Sequence, residues 1–140
     1  MNVQKQEVIL VAAPNCAGEN FIKELKQQGI AFAALTNNKN DSGRLRKLGT
    51  SSIITVKSGE YDTWLIPESP IGSVYLFENS FNLCCRYIQM CRSWTSKPIY
   101  VITHSFNPRL VYKRLGANYV IYTHSDDVSF LLKSGGNRDE

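Results

Sequence analysis

The stretch 7–29 constrains the fold of this chain most, because it joins an apolar run, a short turn and a helical pattern. The run 7–13 (EVILVAA) is continuous rather than alternating, which predicts a strand buried on both faces of a parallel sheet. Residues 19–28 place their apolar side chains on one helical face, and Gly29 can supply the left-handed residue that ends a helix. With a second strand at 30–35, this order predicts an opening β–α–β unit.

The same alternation of strand and helix continues along the chain. Further strands are predicted at 52–56, 73–77, 98–102 and 118–122. Helices are predicted at 43–48, 80–94 and 108–115, with a last one capped by Ser125, whereas 57–72 is irregular apart from one turn at 61–66. Six strands alternating with helices predict an α/β fold with a doubly wound parallel sheet in the order 3-2-1-4-5-6, in three α/β/α layers.

Composition favours one domain and excludes some classes of partner. A chain of 140 residues supports one core, so 1–132 is predicted to be a single domain and 133–140 a polar tail or linker stub. The net charge of +4 is mild, and no basic run is interleaved with aromatic residues, which argues against nucleic acid. No apolar run approaches the roughly 20 residues of a membrane span, and no signal peptide is visible, so a cytoplasmic location without membrane insertion is expected.

The helix at 80–94 has an unusually wide apolar face. Its apolar residues cover an arc of about 220°, whereas packing on one sheet face requires little more than about 100°. Two explanations remain open at this stage. The surplus face is covered either by a second copy of the chain, which would make a homodimer through 80–94, or by neighbouring helices of the same chain.

Two longer segments resemble the nucleotide-binding domain of bacterial potassium-uptake regulators, the TrkA N-terminal type. Residues 73–83 (SVYLFENSFNL) are similar to that family's fourth strand and the helix after it. Residues 106–121 (FNPRLVYKRLGANYVI) are similar to a helix followed by its Leu-Gly-Ala-Asp-x-Val-Ile phrase. The resemblance implies a Rossmann-type regulatory domain, a dimer, and a membrane-transporter partner in cation transport. The first half, at 18–29 and 46–49, is equally similar to NmrA-like NAD(P)-binding proteins.

The resemblance implies that the turn after the first strand binds a cofactor, which would be NAD(P) or another adenine nucleotide. The positions concerned are Ala13, Pro14, Asn15, Cys16, Ala17 and Gly18. Against the fingerprint G-x-G-x-x-G only the third glycine, Gly18, is retained, and the alternative spacing G-x-x-G-x-x-G also loses two of three. Asn15 adds a side chain where phosphate would lie, although its amide can donate a hydrogen bond. Dinucleotide binding is therefore expected to be weak or lost.

The ribose-binding position also departs from the pattern. The acid expected at the end of the second strand is Thr36, followed by Asn37 and, further on, Arg44. A missing acid with basic residues behind it fits the 2′-phosphate of NADP, or else means that no dinucleotide binds. Glu78 and Asn79, at the end of the fourth strand, lie where they can contact the adenosine part, and Asn79 or Ser80 also suits a helix cap.

Two similar tripeptides follow the fifth and sixth strands, Thr-His-Ser at 103–105 and at 123–125. Because the ends of parallel strands meet at one edge, His104, His124 and Asp126 can lie near one another, where they would bind a metal or respond to pH. The plain alternative is a pair of exposed loop histidines. Cys16, at the start of the first helix, is either a reactive thiol or a small turn residue.

Catalytic signatures are scarce in this sequence. Each tyrosine lacks a lysine four residues on, no glycine-flanked serine forms a nucleophile elbow, and no P-loop occurs. The sequence therefore favours a regulatory or binding domain over an enzyme, without deciding between them. Two alternatives remain, a small NAD(P)-dependent oxidoreductase of the NmrA-like kind and a protein-interaction module that uses the fold as a scaffold.

Overall fold

Parallel strands of the described residues form one six-stranded sheet in the order β3-β2-β1-β4-β5-β6. The computed structural model describes residues 7–56, 70–105 and 109–132. In chain order its elements are β1 Val8–Ala12, α1 Cys16–Gln27, β2 Phe32–Thr36, α2 Lys39–Lys47, β3 Ile53–Thr55, β4 Ile71–Phe77, α3 Phe81–Trp94, β5 Ile99–Thr103, α4 Arg109–Leu115 and β6 Tyr119–Tyr122. Every strand pairing is parallel, so the predicted fold class and strand order are confirmed.

Two apolar cores lie on opposite faces of the sheet, which makes the three layers. Alternate residues of β1, together with Ala13 just after it, divide between them, with Leu10 and Ala12 in one core and Val11 and Ala13 in the other. Helix α3 and Tyr112 of α4 cover the first face. The second face is covered by α1, α2 and the segment at 128–131. The continuous apolar run of β1 therefore reflects burial on both faces, as expected of a central parallel strand.

Three elements begin earlier than the sequence pattern predicts. Helix α1 begins at Cys16 and not at Glu19, because the side chain of Asn15 caps it. Helix α2 begins at Lys39 with Asn38 as its cap, and not at Gly43, so Asp41 and Ser42 are helical residues. Strand β4 begins at Ile71. Both helix starts were predicted too late because apolar periodicity begins only after the first, polar turn.

The last helix also differs from its prediction. Helical residues after β6 lie at 130–132, and Ser125 accepts a hydrogen bond from the Asp127 N–H in the loop before them, so Ser125 does not cap the helix. The first residue of the helix predicted at 108–115, the turn at 61–66 and the tail at 133–140 fall outside the described residues. Glycines that follow three predicted helices adopt positive φ, +69° at Gly29, +91° at Gly49 and +130° at Gly116.

The wide apolar face of α3 is mostly covered within the chain. Ser80 caps the helix, which lies against β4, β5 and α4. Its buried residues are Cys84, Tyr87, Ile88, Met90 and Cys91. Cover by the same chain therefore accounts for most of the surplus arc, and Phe81 is the large apolar residue of α3 that stays exposed, at 44%. Within the described residues, no helix is both long and apolar enough to cross a membrane.

Candidate functional site

A crevice opens at the carboxyl edge of the sheet, beside the β1–β4 pair where the strand order reverses. This switch point is where open α/β sheets bind ligands, because the two loops that follow the strands diverge there. The walls come from the ends of β1, β2 and β4 and from α2 and α3. Five of the predicted cofactor-binding residues line it, namely Ala13, Pro14, Thr36, Arg44 and Asn79. Its volume of about 30 Å³ admits water, so a nucleotide base enters only if wall side chains move.

Asn15 joins the turn after β1 to the end of β4, next to this crevice. Its Oδ1 accepts the N–H of Gly18 at 2.9 Å, and its Nδ2 donates to the carbonyl oxygen of Glu78 at 3.2 Å. The first contact occupies a helix N-terminal amide of the kind that binds phosphate in this fold. The second contact occupies the Asn15 amide, the group that the sequence suggested as a hydrogen-bond donor to a phosphate. Both polar ends of Asn15 are thus engaged within the protein.

Gly18 allows α1 to approach the end of β1 closely. A Cβ atom at this position would lie 2.6 Å from the Cα atom and 2.8 Å from the Cβ atom of Ala13. Side-chain atoms do not approach that closely, so the contact requires glycine. The third glycine of a dinucleotide fingerprint serves this packing and does not itself touch the pyrophosphate.

Arg44 of α2 reaches across the β1 turn. Its guanidinium pairs with the Glu19 carboxylate and donates to the carbonyl oxygen of Ala13 at 2.7 Å. A third oxygen, Oδ1 of Asp41, lies 3.6 Å from Nη2. Arg44 was expected beside a ribose 2′-phosphate, whereas here it already has two acidic partners. Asn37, which follows β2, is not among the residues that line the crevice, and its Oδ1 accepts a hydrogen bond from Nδ2 of Asn38.

The Glu78 side chain binds hydroxyl groups of neighbouring elements. Its carboxylate accepts hydrogen bonds from the hydroxyls of Thr103 in β5 and Tyr112 in α4. Burial, together with the hydrogen bond to Glu78, raises the pKa of Tyr112 above its ordinary value. Glu78 therefore ties β4, β5 and α4 together. Asn79, the other residue predicted to meet adenosine, is exposed at the crevice, and Ser80 rather than Asn79 caps α3.

The loops after β5 and β6 meet, as their parallel order requires. A ring nitrogen of His104, Nδ1, contacts the Thr123 carbonyl oxygen, and Nε2 lies 3.8 Å from the Asp126 carboxylate. The His124 ring packs edge-on against Tyr122, 5.5 Å between centroids. Across residues 7–56, 70–105 and 109–132, no three His, Cys, Asp or Glu side chains are grouped so as to hold a metal ion.

The four cysteines are free thiols in three settings, since Cys85 is half-buried, Cys16 is exposed, and Cys84 and Cys91 are buried. Cys16 is exposed at the first position of α1, and Ala17 beside it is buried. Cys84 and Cys91 lie in the α3 core, where burial raises the pKa of the Cys84 thiol to about 12. A thiol with a raised pKa carries little thiolate near neutral pH, so the buried pair acts as small apolar side chains.

The strand order and the position of the crevice define a Rossmann-like α/β fold. Solved structures share this fold. The NAD(P)-binding domain of an exopolyphosphatase-related protein from Archaeoglobus fulgidus is 17% identical, with a TM-score of 0.67 over 94% of this chain and 95% of that one. The TrkA-N domain of the inner membrane protein ybaL from Escherichia coli is 13% identical, with a TM-score of 0.65 over 95% and 98%.

A third structure of this fold is part of a much longer chain. The GsuK channel bound to NAD is 14% identical, with a TM-score of 0.69 over 86% of this chain and 22% of the channel chain. These identities establish the fold alone. No protein-family model matches the sequence, and no curated protein matches it.

Proposed function

We propose that this chain is a Rossmann-type regulatory domain that binds an adenine nucleotide weakly at the crevice beside β1 and β4. The observation that carries the proposal is the position of Asn15, whose side chain spans the switch point. A pyrophosphate entering there must compete with two existing hydrogen bonds, to the Gly18 N–H and the Glu78 carbonyl. Each such bond contributes about 1 kcal/mol, so their loss weakens binding without abolishing it.

The fold neighbours support the ligand class and the regulatory role. GsuK structures of this fold are described as bound to NAD and to ADP, and GsuK is a channel. The ybaL domain belongs to an inner membrane protein. By that likeness the proposed partner is a membrane transport protein, and the proposed location is cytoplasmic.

Thermal shift with NAD, NADH, NADP, NADPH, ATP and ADP tests the proposal. Wild-type protein is expected to show a small rise in melting temperature, because a ligand that binds only the folded state stabilises it. Asn15→Gly removes both competing side-chain bonds and costs α1 only a few tenths of a kcal/mol in capping. It is expected to bind about tenfold more tightly, equivalent to roughly 1.4 kcal/mol.

Asn15→Ser is the matched control for that experiment. Serine keeps an oxygen that caps the Gly18 N–H but lacks the amide that donates to the Glu78 carbonyl. Its affinity is expected to stay close to that of the wild type, since the phosphate-binding amide remains occupied. No response by any variant to any nucleotide would contradict the proposal and favour the interaction scaffold. Transfer of hydride from a bound nicotinamide would instead favour the oxidoreductase alternative.

We also propose a homodimer through α3, centred on its exposed Phe81. This ring is 44% exposed and lies against Tyr112, with 5.6 Å between centroids. Sedimentation velocity over a range of concentrations is expected to show a monomer–dimer equilibrium that Phe81→Ser shifts toward monomer. Leu110→Ser removes a residue of α4 that is 73% exposed and serves as the control. A monomer at every concentration would contradict the dimer.

A further inference from the structure

Asp41 places a carboxylate at the crevice, although the end of β2, where a ribose-binding acid is expected, holds Thr36. Strand β2 ends at Thr36, which is 2% exposed, and α2 then brings Asp41 back beside it. Thr36 Oγ1 and Asp41 Oδ2 are 3.5 Å apart, and both residues line the crevice. A carboxylate therefore lies next to the strand end at which this fold recognises a ribose, although it comes from the following helix.

The Asp41 carboxylate is only loosely engaged by its neighbours. Oδ2 lies 3.4 Å from Asn38 Nδ2 and 3.5 Å from Thr36 Oγ1, and Oδ1 lies 3.6 Å from Arg44 Nη2. These distances exceed those of well-formed hydrogen bonds, which lie near 3 Å or below. The side chain is 34% exposed. Its oxygens remain able to accept hydrogen bonds from a ligand, and hydroxyl groups are suitable donors.

The charges around Asp41 disfavour a phosphate at the same place. Arg44 is the cation nearest to it among the residues shown to line the crevice, and its guanidinium already pairs with Glu19 and the Ala13 carbonyl. Two carboxylates thus share one guanidinium. A dianionic phosphate beside Asp41 would meet like charge, and it would have to draw Arg44 away from Glu19.

Apolar side chains form the opposite wall of the crevice. Leu76 of β4 and Leu83, Cys84 and Tyr87 of α3 line it. Once wall side chains move to admit it, a flat, largely apolar group can lie against this wall, while a hydroxyl-bearing group reaches Asp41 on the α2 side. This arrangement suits a nucleoside whose base lies toward α3 and whose sugar lies toward α2.

We propose that Asp41 recognises the ribose and that the crevice accepts nucleotides with a free 2′-hydroxyl while rejecting those that carry a 2′-phosphate. The inference rests on the proposed nucleotide binding and adds its specificity. It contradicts the expectation from the sequence that Thr36, which replaces the usual acid, and Arg44 together bind the 2′-phosphate of NADP. Asp41 also lies in the first turn of α2, where the helix dipole favours an acid, so its test must separate recognition from helix stability.

Two ligands that differ only at the 2′ position provide that test, adenosine 5′-phosphate and adenosine 2′,5′-bisphosphate. Isothermal titration of the wild type and of Asn15→Gly is expected to show the 5′-phosphate binding about tenfold more tightly. Asp41→Asn keeps the shape, removes the charge, and is expected to bring the ratio of the two affinities close to one. Glu24→Gln, which removes a carboxylate of α1 away from the crevice, is expected to leave the ratio unchanged.

Several results would overturn the inference. Equal or tighter binding of the bisphosphate by the wild type would do so, and so would an Asp41→Asn variant with an unchanged ratio. A change in melting temperature of Asp41→Asn without a change in the ratio would assign the residue to helix stability alone. Failure of both ligands to bind any variant would contradict the proposed nucleotide binding itself, and this inference would fail with it.

Discussion

Replacing Arg92 with methionine is expected to lower the free energy of unfolding by about 3 kcal/mol. The guanidinium donates hydrogen bonds to four oxygen atoms near the carboxyl-terminal ends of α3 and α4. They are the carbonyl oxygens of Thr95, Lys97 and Gly116, each at 2.8 Å, and Oδ1 of Asn118 at 3.1 Å. One side chain thereby joins the end of α3, the loop before β5 and the α4–β6 turn.

The size of the effect follows from what is left unpaired. Hydrogen bonds from a charged donor contribute about 1.5–3 kcal/mol each, and partial exposure lets water replace some of them. Asn118 also accepts the Ile99 N–H at 2.8 Å through the same Oδ1, so its displacement would loosen the start of β5. Methionine preserves most of the aliphatic stem that lies against Gly116, which limits the loss to the polar contacts.

Urea unfolding followed by circular dichroism measures the effect, with Arg46→Met as the matched control. Arg46 is an exposed arginine in the last turn of α2, so its loss removes one charge at a helix end and is expected to cost about 0.5 kcal/mol. If the free energy of unfolding of Arg92→Met lies within about 0.5 kcal/mol of that of the control, the four contacts do not act together.

The sequence predicted the sheet because its evidence is local and repeated. Runs such as 7–13 identify buried parallel strands wherever they occur, and glycines such as Gly29 mark helix ends, so the strand order followed from known rules of connection. Asn15 shows where that reasoning fails. The sequence favoured it as a phosphate donor or a lost glycine, whereas its two hydrogen bonds, one of them 63 residues away, depend on the folded arrangement.

The site was harder to predict because its residues meet through tertiary packing. The sequence does not mark Asp41 as an acid of the crevice, because it lies five residues beyond the end of β2 and only the return of α2 brings it beside Thr36. Glu78 was expected to face a ligand, but Tyr112, 34 residues on, takes one of its oxygens. Neither contact has a signal in local periodicity, and because α2 was predicted to begin only at Gly43, Asp41 was not recognised as a residue of its first turn.

Gly18→Ala is expected to destabilise the protein by about 3 kcal/mol, the upper part of the range for overpacked sites. The added Cβ would lie 2.6 Å from the Ala13 Cα atom, which is backbone and cannot rotate away. Either α1 moves off the end of β1 or the turn at 13–15 is displaced. Movement of that turn would also disturb the Asn15 cap, whose oxygen accepts the N–H of Gly18 itself.

Gly43→Ala provides a control that is expected to act in the opposite direction. Gly43 lies within α2, and an added Cβ would meet no atom within 4 Å. Alanine there removes backbone freedom from the unfolded chain and is expected to stabilise the protein by about 0.5–1 kcal/mol. Urea unfolding of both variants measures the contrast. A Gly18→Ala variant as stable as Gly43→Ala would show that α1 does not approach β1 closely, and the crevice geometry built on that approach would have to be abandoned.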